Sequence, residues 1–146
     1  MDHSHNERCI SFQQRLIEEE LSKIDRYLEN QSLGVDKEKY LEICEITNVE
    51  PDPEKIPIDY TDLLSDTTIA MEITNLLPEK WEYIGGNYEG KDLSLLPMFL
   101  DLYDITNRLD ITILIARINN KGIELVNKRK KKHVATGNNH KTAGRK

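Results

Sequence analysis

Cysteine is scarce in this chain. Cys9 and Cys44 are the only two in 146 residues, too few and too scattered to frame a small disulfide-bonded domain. Cys44 stands among apolar neighbours and reads as a small buried hydrophobe in a reducing compartment. Long hydrophobic runs are missing too. No stretch approaches the roughly 18 apolar residues of a membrane span. The polar start Met1-Asp2-His3-Ser4-His5 lacks the form of a signal peptide. These absences predict a chain without membrane contact that stays in the compartment where it is made. The third absence is of acid at one end: all 26 Asp and Glu precede Lys128.

What stands at that end is basic. Residues 128–146 hold eight Lys or Arg, five of them in the run Lys128-Arg129-Lys130-Lys131-Lys132. The other twelve basic residues against 26 acids leave the body at −14 beside a +8 tail. An acidic body with a basic tail points to binding and assembly rather than to chemistry. At this length the chain is one domain's worth, able to bury roughly 68–70% of its unfolded surface. With 38% hydrophobic and 32% charged residues it is polar enough that the two ends are expected to lie outside the core.

The hydrophobic pattern is helical. Phe12, Leu16, Ile17, Leu21, Ile24 and Leu28 recur at three- and four-residue steps and predict an amphipathic helix over 11–30. Its stripe serves either its own domain or a second chain. Gly34 ends it. Asp36 is a good N-cap for a second helix reaching about Thr47, with Val35 and Tyr40 placed as a hydrophobic staple. Pro51, Pro53 and Pro57 then make an extended surface connector. A third helix over 65–77 takes Ser65 as cap and Ile69, Ile73, Leu76 and Leu77 as buried stripe. A fourth carries Pro97 in its first turn, with Phe99, Leu100 and Tyr103 facing inward. Residues 111–118 are β-branched and suit a strand, yet Ile111, Leu114, Ile115 and Ile118 share a helical face behind Asn107 and Asp110. A helix is favoured there, weakened or split at Gly122. Residues 135–146 have the composition of a disordered segment. The expected fold is all-α: four or five short helices, with an N-terminal helical arm over 1–34, a compact domain over 35–127 and a flexible basic tail over 128–146.

One motif resembles chemistry. Gly85-Gly86-Asn87-Tyr88-Glu89-Gly90-Lys91-Asp92 nearly spells the phosphate-binding G-x-x-x-x-G-K-[ST] loop. However, Asp92 stands where a magnesium-binding hydroxyl belongs, and Glu89 adds a second negative charge to the cradle. A glycine turn with Asp92 capping the next helix accounts for both departures. Trp81, Tyr83 and Tyr88 put three of the nine aromatics around this turn. Trp81 suits the core or a partner, whereas Tyr88, at the tip, suits an exposed contact. His3, third from the amino terminus with His5 and Cys9 nearby, has the form of an adventitious copper or nickel site. No His, Cys or Ser pairs with a carboxylate in an acid/base or nucleophilic pattern, so no catalytic residue, metal or cofactor is expected.

The segments Tyr40-Leu41-Glu42-Ile43-Cys44-Glu45, Glu50–Pro57 and Trp81–Asp92 together resemble a group of small tailed-bacteriophage proteins in which a Gly-x-Tyr-x-Gly-Lys-Asp turn precedes a short helix. The likeness covers about 40–118. It implies a phage particle or assembly protein, brings no catalytic residues with it, and makes Asp92 part of the turn. The expected function is therefore a non-enzymatic phage protein working through protein–protein contacts, in the host cytoplasm or the virion. Its partners are other phage proteins or a second copy. The contact residues are Phe12, Leu21, Leu28, Trp81, Tyr83 and Tyr88. The alternative is an accessory nucleic-acid-binding protein using Lys128, Arg129, Lys130, Lys131 and Lys132 on phosphates; the same run also suits an acidic partner, or a solvated helix end complementing the dipole. No aromatic is interleaved in that run to stack on bases.

Overall fold

A computed structural model describes residues 3–142, with side chains over 14–132. The chain is mostly helical: α1 (His3–Leu33), α2 (Lys37–Ile46), α3 (Ser65–Leu76), α4 (Leu96–Leu102) and α5 (Arg108–Thr142). An antiparallel hairpin of β1 (Glu79–Trp81) and β2 (Tyr88–Lys91) sits between α3 and α4. The expected helical fold is thus present, with this two-stranded hairpin added to it. None of the helices over the described residues is long and apolar enough to cross a membrane.

α5 is the spine, against which α1, α3 and β2 all pack. Its β-branched segment is helical because Ile111, Ile115 and Ile118 fall on one face and are buried with Ile24, Ala70 and Ile73. Burial outweighs the β-propensity of the residues. Gly122 leaves the helix unbroken.

α1 and α5 run parallel. Asp25 takes a two-point contact from Arg117 (2.9 and 2.5 Å) and Glu29 accepts from Lys121 (2.6 Å), each pair 92 residues apart in sequence. The two pairs, one turn apart on each helix, form a ladder. Over 20–29, α1 is thus packed into the domain rather than standing off from it as an arm. Ile24 is fully buried in the common core, and Leu21 and Leu28 pack against it. The side chain of Phe12 lies outside the described residues.

Local signals terminate the elements. Gly34, at φ +70°, closes α1, with the Val35 N–H bonded back to Asn30. Asp36 caps α2 by accepting from the Lys39 N–H at 2.7 Å. Ser65, in contrast, is not the cap of α3. Leu64 occupies that position without a side-chain cap, and Glu20 of α1 replaces one. Its Oε1 accepts from the Leu64 N–H (2.8 Å) and the Thr67 hydroxyl (2.6 Å). Leu76 and Tyr103, expected inside, are exposed, while Leu77 and Leu100 are buried.

Candidate protein-interaction surface

The hairpin is built into α5 by three polar side chains. Asn127 accepts from the Tyr88 N–H (3.0 Å) and donates to the Tyr88 carbonyl (3.1 Å), as a neighbouring strand would. Eight residues earlier on the helix, Asn119 accepts from the Lys91 N–H (2.8 Å). Lys130 donates to the carbonyls of Gly85 (3.0 Å) and Gly86 (2.6 Å). The outer edge of β2 is thereby closed by a helix rather than left as an open edge.

The glycines make this approach feasible. Gly90 has φ +94°, and a Cβ there would lie 2.6 Å from Asn119 Oδ1 and 2.8 Å from Ile123 Cδ1. Gly86 has φ +65°, and its missing side chain leaves room for the Lys130 ammonium. Within the turn, the Glu82 N–H donates to Asn87 O (2.8 Å) and the Asn87 side-chain amide donates to Glu82 Oε2 (2.9 Å). The phosphate-loop likeness ends here. The N–H groups of Glu82, Gly86, Tyr88, Lys91 and Asp92 all donate within the chain. Lys91 pairs with Glu79 at 3.5 Å. Asp92 accepts from the Ser94 N–H (3.0 Å) and starts a short helical turn, and those Ser94 bonds hold its carboxyl below the usual range.

Of the three aromatics at the turn, one departs from the sequence reading. Tyr88 is buried, not at an exposed tip, and its ring meets Trp81 at 4.8 Å. Burial, with Glu79 nearby, raises its phenol pKa. A one-residue irregularity between Lys80 and Trp81 puts Trp81 opposite Tyr88. Trp81 remains 52% exposed, and at the tip Tyr83 is 101% and Ile84 94% exposed. Ile84 escapes sequence reasoning, since an apolar residue beside a glycine turn reads as core. Further apolar surface lies on α2, where Ile43 and Ile46 are exposed and only Cys44 is buried.

The basic run is not a free tail at its start: 128–132 belong to α5. Arg129 donates to the Ser32 carbonyl at the end of α1, where a cation complements the helix dipole. Lys130 holds the hairpin turn. Lys128, Arg129 and Lys132 line a cavity of about 400 Å³, but so do Glu29 and Glu124. Lys128 and Lys131 are exposed. The disordered segment expected over 135–146 falls outside the residues whose side chains are described, as do His3, His5 and Cys9. Among the described residues no three His, Cys, Asp or Glu gather as a metal site. A second cavity, about 170 Å³, is lined by Glu20, Asp66 and Asp110. Glu20 is occupied as described and Asp66 accepts from Asn107 at 3.1 Å, so the cluster stabilises the starts of α3 and α5.

No protein-family model matches this chain, and no curated protein or solved structure is significantly similar to it.

Proposed function

We propose that this is a non-enzymatic protein of bacteriophage particle structure or assembly, acting through protein–protein contacts made by the hairpin. The observation that carries the reading is Tyr83 beside Ile84, both almost wholly exposed on a turn bonded into α5. An aromatic and an aliphatic side chain carried outward on an anchored turn form an interaction anchor whose backbone is already ordered in the free chain. The phage assignment rests on the resemblance of the Tyr40–Pro57 and Trp81–Asp92 segments described above.

The test follows the native chain by antibody through a sizing column and through gradient-purified particles from infected cells. It is expected in particles or in complexes much larger than the lone chain, and Tyr83→Ala with Ile84→Ser returns it to the lone-chain position. A wild-type chain that elutes alone and is absent from particles contradicts the reading.

A second reading, nucleic-acid binding, has one observation in its favour: Lys128 and Lys131 point outward and make no ion pair among the described residues. Double-stranded DNA binding that falls steeply with salt and is lost in Lys128→Ala/Lys131→Ala supports it.

A further inference from the structure

The two edges of the hairpin are treated oppositely. β2 is closed by Asn119 and Asn127, whereas all three residues of β1 are exposed and its substantial packing is with β2 alone. The Glu82 N–H donates to Asn87, and the Pro78 carbonyl accepts from the Asp92 N–H at 2.7 Å. Pro78 and Glu82 thus turn their backbone groups inward to β2. By the two-residue alternation of an antiparallel ladder, Glu79 and Trp81 turn theirs outward.

The geometry points to a second copy of this chain as the occupant of that edge, paired antiparallel about a two-fold axis at Trp81. This deepens the interaction reading and rests on it. Isologous pairing of so short a strand allows three centres. Centring on Glu79 sets Glu79 against its own copy. Centring on Lys80 sets two ammonium groups face to face. Centring on Trp81 sets Lys80 opposite Glu82 of the second copy, twice over, and Trp81 opposite Trp81.

Only the last centre joins unlike charges, which favour a cross-strand pair where like charges oppose one. Both side chains are available. Lys80 makes no ion pair among the described residues, and Glu82 uses only Oε2, toward Asn87. The paired dimer is a four-stranded sheet that covers the half-exposed face of Trp81.

The test is the mass of the purified full chain by sedimentation equilibrium, from micromolar to submillimolar concentration, with three variants. The wild type is expected to form a dimer as concentration rises. Lys80→Glu alone and Glu82→Lys alone each place like charges at two points of the two-fold contact and weaken the dimer about tenfold or more. The double swap, Lys80→Glu with Glu82→Lys, restores it. Circular dichroism checks that each variant keeps its helices, and because Glu82→Lys also loses the Asn87 amide bond, recovery in the double swap separates the charge pairing from that loss. A wild type monomeric throughout, or a dimer indifferent to the single changes, overturns the pairing. A purified monomer that still elutes in a large complex from infected cells overturns the pairing alone and leaves the hairpin-docking reading standing.

Discussion

Asn127 bonds both backbone groups of Tyr88, 39 residues away, and in doing so takes the place of a third strand. A side-chain amide carries an NH2 donor group and a carbonyl acceptor side by side, matching the carbonyl and N–H that a strand residue leaves unpaired on its outer side. Replacing Asn127 by Ala strands a part-buried N–H and carbonyl together. The variant is expected to lose about 1–3 kcal/mol in urea denaturation, with amide exchange rising first over 82–91.

Glu20 predicts a larger loss. It is 3% exposed, and its Oε1 takes two donors at the start of α3. Glu20→Ala leaves the Leu64 N–H and the buried Thr67 hydroxyl without an acceptor and is expected to cost about 3 kcal/mol. Glu20→Gln keeps an acceptor oxygen and loses less than half of that. Denaturation midpoints of the two variants make the comparison.

These contacts separate what the sequence shows from what it hides. The Asp36 cap and the Gly34 stop are interactions between residues a few positions apart, so composition and spacing reveal them. Glu20 caps a helix that begins 45 residues later, and nothing near Leu64 announces it. The hairpin glycines read as a turn, but strands of three and four residues are too short to show an alternating pattern. The long-range bonds that hold them come from Asn119, Asn127 and Lys130. Tyr88, expected at an exposed tip, is buried because the Lys80/Trp81 irregularity sets it opposite Trp81 and beside α5. The basic run is plain as charge. That Arg129 and Lys130 are bound to backbone carbonyls is not.

Two glycines predict opposite outcomes. Gly122 lies inside α5 with open space around the Cβ position. Gly122→Ala is expected to stabilise by about 0.5–1 kcal/mol. Gly90→Ala, at φ +94° and against Asn119 and Ile123, is expected to destabilise by at least about 1 kcal/mol. Thermal unfolding of both variants in one buffer checks the pair.

Lys121 predicts alkaline sensitivity. Its hydrogen bond to Glu29, aided by the charges of Glu29 and Glu124, raises its pKa above the lysine norm. A raised folded pKa means the stabilisation is complete below the unfolded value of about 10.4 and is lost as pH climbs through the folded value. Between pH 9 and 12 the wild type is expected to lose stability more steeply than Lys121→Met, as followed by denaturation midpoints.

The hairpin tip as a docking surface is the central claim, and a photo-crosslinking residue at Tyr83 tests it most directly. The control is the same residue at Glu72, exposed on α3. In infected cells the account predicts a discrete adduct from position 83, to a second copy or to another phage protein, and none from position 72. No adduct at 83, or equal labelling from both positions, would contradict it.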